Sequence, residues 1–236
     1  MRPLLFLGAG LLLTANLSAA PARFSSATNR TSVIELFTSE GCSSCPPAER
    51  QLADLRDAPG LWRDFVPVAW HVDYWNRLGW PDRFATREFT RRQYDFAAAW
   101  GTGKVYTPCL VRDGAEMDDA WPVSPARTIA GRLTVEYDGT MLRAGFFPMT
   151  PHAVDAFEVH AAILGGGISS SVTAGENRGA TLRHEFVALA LASAPLGRDL
   201  PLAVPKIAGV TRHALAVWVT RRGEMTPLQA TGGWLD

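Results

Sequence analysis

The segment Gly41-Cys42-Ser43-Ser44-Cys45-Pro46-Pro47 constrains this chain more than any other stretch, because it stands between two patterns of different period. Before it, Val33-Ile34-Glu35-Leu36-Phe37 is a short, mostly apolar run that reads as a strand buried on two faces. After it, Ala48, Leu52 and Leu55 recur at helical spacing over residues 47–55. Prolines suit the first helical turn, where the N–H groups have no intrahelical acceptor to lose. A second apolar run, residues 65–72, follows about thirty residues after the first. The order predicts a β-α-β unit, right-handed with parallel strands, and puts the cysteine pair at the opening of its helix.

At that place the unpaired N–H groups and the helix dipole favour a thiolate. Cys42 is therefore the expected attacking sulfur, and Cys45, one turn deeper, the one that resolves a mixed disulfide. This chemistry requires that the first sulfur be open to solvent. The same spacing also serves half a zinc site, or a permanently closed disulfide that ties the loop. Glu35 shares a strand face with Val33 and Phe37, where a carboxylate without a partner is costly and its pKa is driven towards neutrality. A proline at position 108, inside the apolar run 105–111, removes a ladder hydrogen bond and belongs at an edge or an irregular point.

The chain has 236 residues, enough to bury a sizeable core without metals or crosslinks. Lys plus Arg equals Asp plus Glu at 23 each, which removes any global electrostatic argument for nucleic acid or an anionic membrane surface. The local group Arg87, Arg91 and Arg92 reads as a solvated helix face. Residues 1–20 have the layout of a secretory signal peptide: Arg2, an apolar run over 4–13, and small residues up to Ala20. Cleavage near Ala20 predicts a periplasmic or secreted protein, where disulfides persist, and no later segment is apolar enough to span a membrane. Residues 85–100 carry Phe89, Phe96 and Trp100 on one helical face, and Asp113-Gly114 turns a hairpin. Beyond residue 131, short apolar or alternating runs recur between turn signals (133–137, 141–147, 156–164, 168–174, 181–191 and 213–220). The expected fold class is an α/β domain over 30–131 followed by an antiparallel β-rich, sandwich-like domain over 132–236.

His71, Asp73, Tyr74 and Trp75 end the second strand, and in an open α/β sheet those ends face the ligand crevice. Tyr74, Trp75 and Trp80 are expected to line a groove for an extended peptide. Four segments carry a longer signature: Val33 through Glu49, His71-Val72-Asp73-Tyr74-Trp75 with Leu78-Gly79-Trp80, Val105-Tyr106-Thr107-Pro108, and Gly175-Glu176-Asn177-Arg178-Gly179. In these the chain resembles the exported bacterial family catalogued as domain of unknown function 1223. The resemblance implies a thioredoxin-like N-terminal domain followed by a β-rich domain, and brings no substrate with it. By similarity to thioredoxin-like proteins, Pro108 is expected to be cis and beside Cys42, with Thr107 and Pro108 holding a partner's backbone. By the same similarity Glu35 is a candidate general acid/base for Cys45. The segment Gly175-Glu176-Asn177 is loop-like by composition, and its family match places Glu176 near the redox centre without assigning it a chemistry. Cys109 stands where the family usually has a polar residue such as Gln; it is either a small buried residue or a third sulfur close to the pair.

Together these readings predict a thiol-disulfide oxidoreductase acting on protein thiols or disulfides without a bound cofactor. A second class is Cu(I) or Zn(II) binding through Cys42 and Cys45 with Cys109 or His71. A third is a non-catalytic binding protein with an inert disulfide on the same scaffold.

Overall fold

The computed structural model describes residues 20–117, 126–150, 153 and 156–235. The expected leader, but for Ala20, lies outside the described residues. Among them no helix is long and apolar enough to cross a membrane.

The elements run β1 (Ala22–Ser25), β2 (Ser32–Thr38), α1 (Pro46–Asp54), β3 (Phe65–His71), α2 (Arg87–Ala99), β4 (Cys109–Arg112), β5 (Ala115–Glu116), β6 (Gly131–Tyr137) and β7 (Met141–Pro148). They continue with β8 (Phe157–Gly166), β9 (Ile168–Ser171), β10 (Thr181–His184), β11 (Val187–Pro195), β12 (Leu200–Pro201), β13 (Arg212–Arg221) and β14 (Pro227–Trp234). β2 and β3 are parallel, joined through α1. Thr86 caps α2 by accepting a hydrogen bond from the Phe89 N–H at 3.1 Å.

One eight-stranded sheet has the order β14-β13-β8-β11-β3-β2-β4-β5, a second has the order β1-β6-β7-β12, and β9 and β10 form a hairpin. This overturns the expected fold class. Strands make up 45% of the described residues and helix 16%, and the thioredoxin-like α/β layout followed by a β-rich domain is not what they show. The open edge of β3 is taken by β11, parallel to it at Val187 opposite Ala69, and the sheet then grows antiparallel through β8, β13 and β14. The β-α-β unit is thus one part of a larger mixed sheet. A local periodicity announces a strand but does not say which distant strand will cover its edge.

Side-chain alternation explains how that sheet is held. Val159, Ala161 and Ile163 of β8 and Leu215, Val217 and Val219 of β13 pack with Leu133, Val135 and Leu142 of the second sheet. The intervening Ala162, Leu164, Ala214, Ala216 and Trp218 belong to another core with Trp70 and with Phe89 and Phe96 of α2. Strands buried on two faces carry continuous apolar runs, as β8 does over 161–164 and β13 over 214–219.

The α2 side of β2 and β3 carries one buried ion pair. Arg92 Nε donates to Glu35 Oε2 at 2.6 Å, Trp70 Nε1 donates to the same oxygen at 2.8 Å, and both Arg92 and Glu35 are buried. The guanidinium also lies 5.2, 5.1 and 5.1 Å from the ring centres of Trp70, Phe96 and Trp218. Arg92, expected on a solvated face, is instead drawn inwards by the carboxylate that β2 buries. Cys109 opens β4 as a buried free cysteine. Burial, with a smaller push from Glu35, drives its thiol up to about 11 against a hydrogen bond from Gln93.

Removing one partner of the Glu35–Arg92 pair strands the other without solvent. Arg92→Leu is expected to lower unfolding free energy by about 3–5 kcal/mol in urea titration, and adding Glu35→Leu to recover part of that loss. Cys109 is expected to resist alkylation at pH 8 in the folded chain and to react fully once the chain is unfolded, as read by mass shift.

Candidate functional site

The loop after β2 folds back at once: the Cys42 N–H donates to the Ser39 carbonyl at 3.1 Å and the Cys45 N–H to the Cys42 carbonyl at 3.3 Å. Cys45 then caps α1, whose first turn takes both prolines. Cys42 and Cys45 are joined as a disulfide with Cα atoms 5.5 Å apart. Ser43 and Ser44 are exposed, yet neither cysteine has any exposed surface. This corrects the expectation of an open first sulfur.

Three separate elements make the cover. The Thr107–Pro108 peptide bond is cis, and the Thr107 carbonyl oxygen lies 3.8 Å from Cys42 Sγ. Trp75 donates from Nε1 to Thr107 Oγ1 at 2.8 Å, and its Cβ is 3.1 Å from where a side chain on Gly41 would begin. The third element is the loop at residues 175–179. Asn177 Nδ2 donates to the carbonyls of Glu40 and Cys42, each at 2.9 Å. Glu176 Oε2 accepts from the Ser43 N–H at 3.1 Å and from its hydroxyl at 2.7 Å, bonds that hold the Glu176 carboxyl below its ordinary range. Gly175 has a left-handed φ of 73°, and a Cβ there would sit 3.2 Å from Trp80 Cβ. The segment 175–179 is therefore a clasp on the cysteine turn.

Beside the disulfide is a groove of about 430 Å³ whose lining includes Ser44, Pro47, Gln51, Tyr106, Pro108 and Met117. The aromatic residues expected to form a peptide groove have other employment. Trp75 is held by Thr107, and Trp80 donates to Glu40 Oε2 at 2.7 Å. The Tyr74 hydroxyl donates to Gln93 Oε1 at 3.3 Å, and burial pushes its pKa up to about 12. Tyr106, Gln51 and Met117 carried no signal beyond proximity in sequence to Thr107-Pro108 or to the helix.

Glu35 is brought to Arg92 and Trp70; its second oxygen has no hydrogen-bond partner, and no hydrogen bond joins it to either cysteine of the disulfide. The alternative metal ligands Cys42, Cys45, Cys109 and His71 are not gathered. The first two are closed on each other, Cys109 is a separate buried thiol, and His71 faces a different group. Among the described residues the potential ligands that do lie together are Glu49, His71 and His184, whose ligand atoms are all within 4.8 Å of one another.

That group belongs to a buried polar cluster under the cysteine loop. His71 Nδ1 and Asp82 Oδ2 are 2.7 Å apart, and the same oxygen accepts the Glu40 N–H at 2.8 Å. His184 stands between two carboxylates, with Nδ1 2.6 Å from Glu49 Oε2 and Nε2 3.2 Å from Glu40 Oε1. Thr38 donates to Glu49 Oε1 at 2.5 Å. Burial alone would pull the His184 pKa down, but the two carboxylates outweigh it and raise it to about 10. Burial likewise pushes the carboxyls of Glu40, Glu49 and Asp82 up, and the facing histidines turn the balance and hold them below their ordinary values. Sequence reasoning missed Glu49, Asp82 and His184, which are isolated polar residues in a helix, a loop and a strand with no common spacing.

No curated protein matches the chain. Two solved structures are similar to it. The X-ray crystal structure of protein AGR_C_4864 from Agrobacterium tumefaciens is 24% identical, with 89% of this chain and 96% of that one covered at a TM-score of 0.60. HBP35 of Porphyromonas gingivalis is 11% identical, with 89% and 77% covered at a TM-score of 0.54. At these identities the likeness concerns the fold alone. Residues 33–220 match the family described as "Protein of unknown function (DUF1223)". That match runs from β2 into the end of β13 and contains the cysteine turn, the cis-proline and the clasp, so the chain belongs to the DUF1223 family of proteins of unknown function.

Proposed function

We propose that this is an exported thiol-disulfide oxidoreductase whose Cys42–Cys45 pair exchanges with protein thiols or disulfides from beneath a movable cover. The observation that carries the reading is the kind of cover. What lies over the disulfide on the Glu176 side is held by hydrogen bonds, part-buried ones from Asn177 and exposed ones to Glu176. Such contacts open at modest cost, about 1 kcal/mol each. The groove at Ser44 and Pro108 then gives an extended partner segment a place beside the sulfurs.

The exchange balances without a cofactor. In the reduced protein the Cys42 thiolate attacks one sulfur of a partner disulfide; a Cys42–partner bond forms, and the partner's second sulfur leaves as a thiolate. The Cys45 thiol loses its proton to solvent and attacks Cys42 Sγ, which closes the Cys42–Cys45 bond and releases the partner's first sulfur. Two electrons pass to the partner, and the reverse sequence oxidises a partner dithiol. Before the bridge closes, the Cys42 thiol can donate a weak hydrogen bond to the Thr107 carbonyl. No proton-transfer role is assigned to Glu35, which Arg92 holds.

The zero exposure of both sulfurs favours a second reading, a closed disulfide that only fastens the loop. Reduction by a small dithiol in native buffer, followed by alkylation and mass, separates the two. The redox reading expects reduction faster than global unfolding and about tenfold faster still in Asn177→Ala, the effect of releasing roughly 1.4 kcal/mol of contacts. Cys45→Ser is expected to accumulate mixed disulfides through Cys42. Reduction only at the unfolding rate in both proteins, with no mixed disulfide formed, would leave the fastening role alone.

A further inference from the structure

In the polar cluster under the cysteine loop one buried atom, His71 Nε2, is left unpaired within 4.8 Å of the hydrogen-bonded pair His184 Nδ1 and Glu49 Oε2. Glu49 comes from the first turns of α1, His71 is the last residue of β3 and His184 the last of β10, so three elements deliver one ligand atom each to a common place. The remaining polar atom of each side chain is tied down: His71 Nδ1 by Asp82, His184 Nε2 by Glu40, and Glu49 Oε1 by Thr38. Outer partners of this kind fix the tautomer and direction of metal-binding imidazoles and carboxylates and raise their basicity. His71 itself is wholly buried, and its Nε2 has no hydrogen-bond partner. The small void bounded in part by Glu49, His71 and His184 has almost no room for a free water molecule. A bare dication, bonded at about 2.0–2.2 Å, needs less room.

Charge points the same way. The carboxylates of Glu40, Glu49 and Asp82 are all buried and face two imidazoles. A dication taking the place of the proton between His184 Nδ1 and Glu49 Oε2 brings the cluster closer to neutrality. Ligand atoms around a tetrahedral zinc-type ion stand about 3.3 Å apart. The 2.6 Å Nδ1–Oε2 contact opens and the widest separation, no more than 4.8 Å, closes by amounts that side-chain rotation supplies.

We propose that Glu49, His71 and His184 bind a divalent first-row transition ion of the zinc type, through Glu49 Oε2, His71 Nε2 and His184 Nδ1. Two imidazoles and a carboxylate without sulfur suit Zn(II) and its neighbours and not soft Cu(I). The site is buried, and its role is to brace the cysteine turn: the Glu40 that orients His184 also accepts from Trp80 and lies two residues before Cys42, and Glu49 lies on the helix that Cys45 caps.

The test uses the full chain with the Cys42–Cys45 bridge closed, dialysed against Zn(II) or Co(II). One equivalent is expected to remain after the free ion is removed. The cobalt form is expected to show ligand-field bands without a thiolate charge-transfer band, unchanged in the Cys42→Ser/Cys45→Ser double variant. Affinity is expected to fall at least tenfold in His71→Gln and in Glu49→Gln. Glu49→Gln keeps the side-chain shape; should His71→Gln fail to fold, the comparison is the zinc-dependent rise in Tm, present in the parent and absent in Glu49→Gln. No stoichiometric ion on the folded parent overturns the proposal, as does binding that the histidine and glutamate variants keep or that the cysteine variant loses. None of these readouts depends on thiol exchange, so the site and the redox reading fail independently.

Discussion

A sheet covered on both faces admits polar side chains only when they arrive with partners, and this requirement organises the molecule. On the α2 side of β2 the single carboxylate of Glu35 draws in Arg92 and Trp70. On the α1 side, at the ends of β2 and β3, Thr38, Glu40, Glu49, His71, Asp82 and His184 form a connected hydrogen-bonded set that leaves His71 Nε2 unpaired. Each set bridges elements distant in sequence. The polar groups therefore do more than avoid a penalty: they decide which helix, loop and hairpin meet the sheet and where.

The cysteine turn inherits its position from the second set. Glu40 is fixed by Asp82 through its backbone and by Trp80 and His184 through its carboxylate, and Gly41-Cys42 follows directly. Trp75 and the Asn177 loop close over the same turn from opposite chain segments. The disulfide is consequently tied to the order of the polar layer underneath and to the hydrogen bonds above, while Trp75 links the same turn to the apolar core.

Much of the architecture could be read from residue pattern. β2, α1, β3 and α2 stand close to the runs that announce them, and most of the later strands coincide with the alternating segments after residue 131. What periodicity could not supply was partnership. Nothing local marks Val187 as the neighbour of Ala69, and that pairing is what merges the β-α-β unit with the antiparallel strands. β1 and β14 were too short or too glycine-rich to stand out. At the site, Cys42, Cys45 and Pro108 were visible because their spacing and their proline break the pattern around them. Their concealment was not, because the cover comes from Thr107, Trp75 and Asn177, which meet only in three dimensions. Glu49 and His184 were invisible for the same reason: a carboxylate in a first helical turn and a histidine in a strand are each ordinary alone.

The clasp also sets an order of events on the growing chain. Asn177 is 135 residues downstream of the carbonyl it holds at Cys42. A chain synthesised from its N-terminus presents the two thiols well before the segment that conceals them exists in folded form. Closure over the cysteine turn is thus a late event, complete only when residues 175–179 have folded against it.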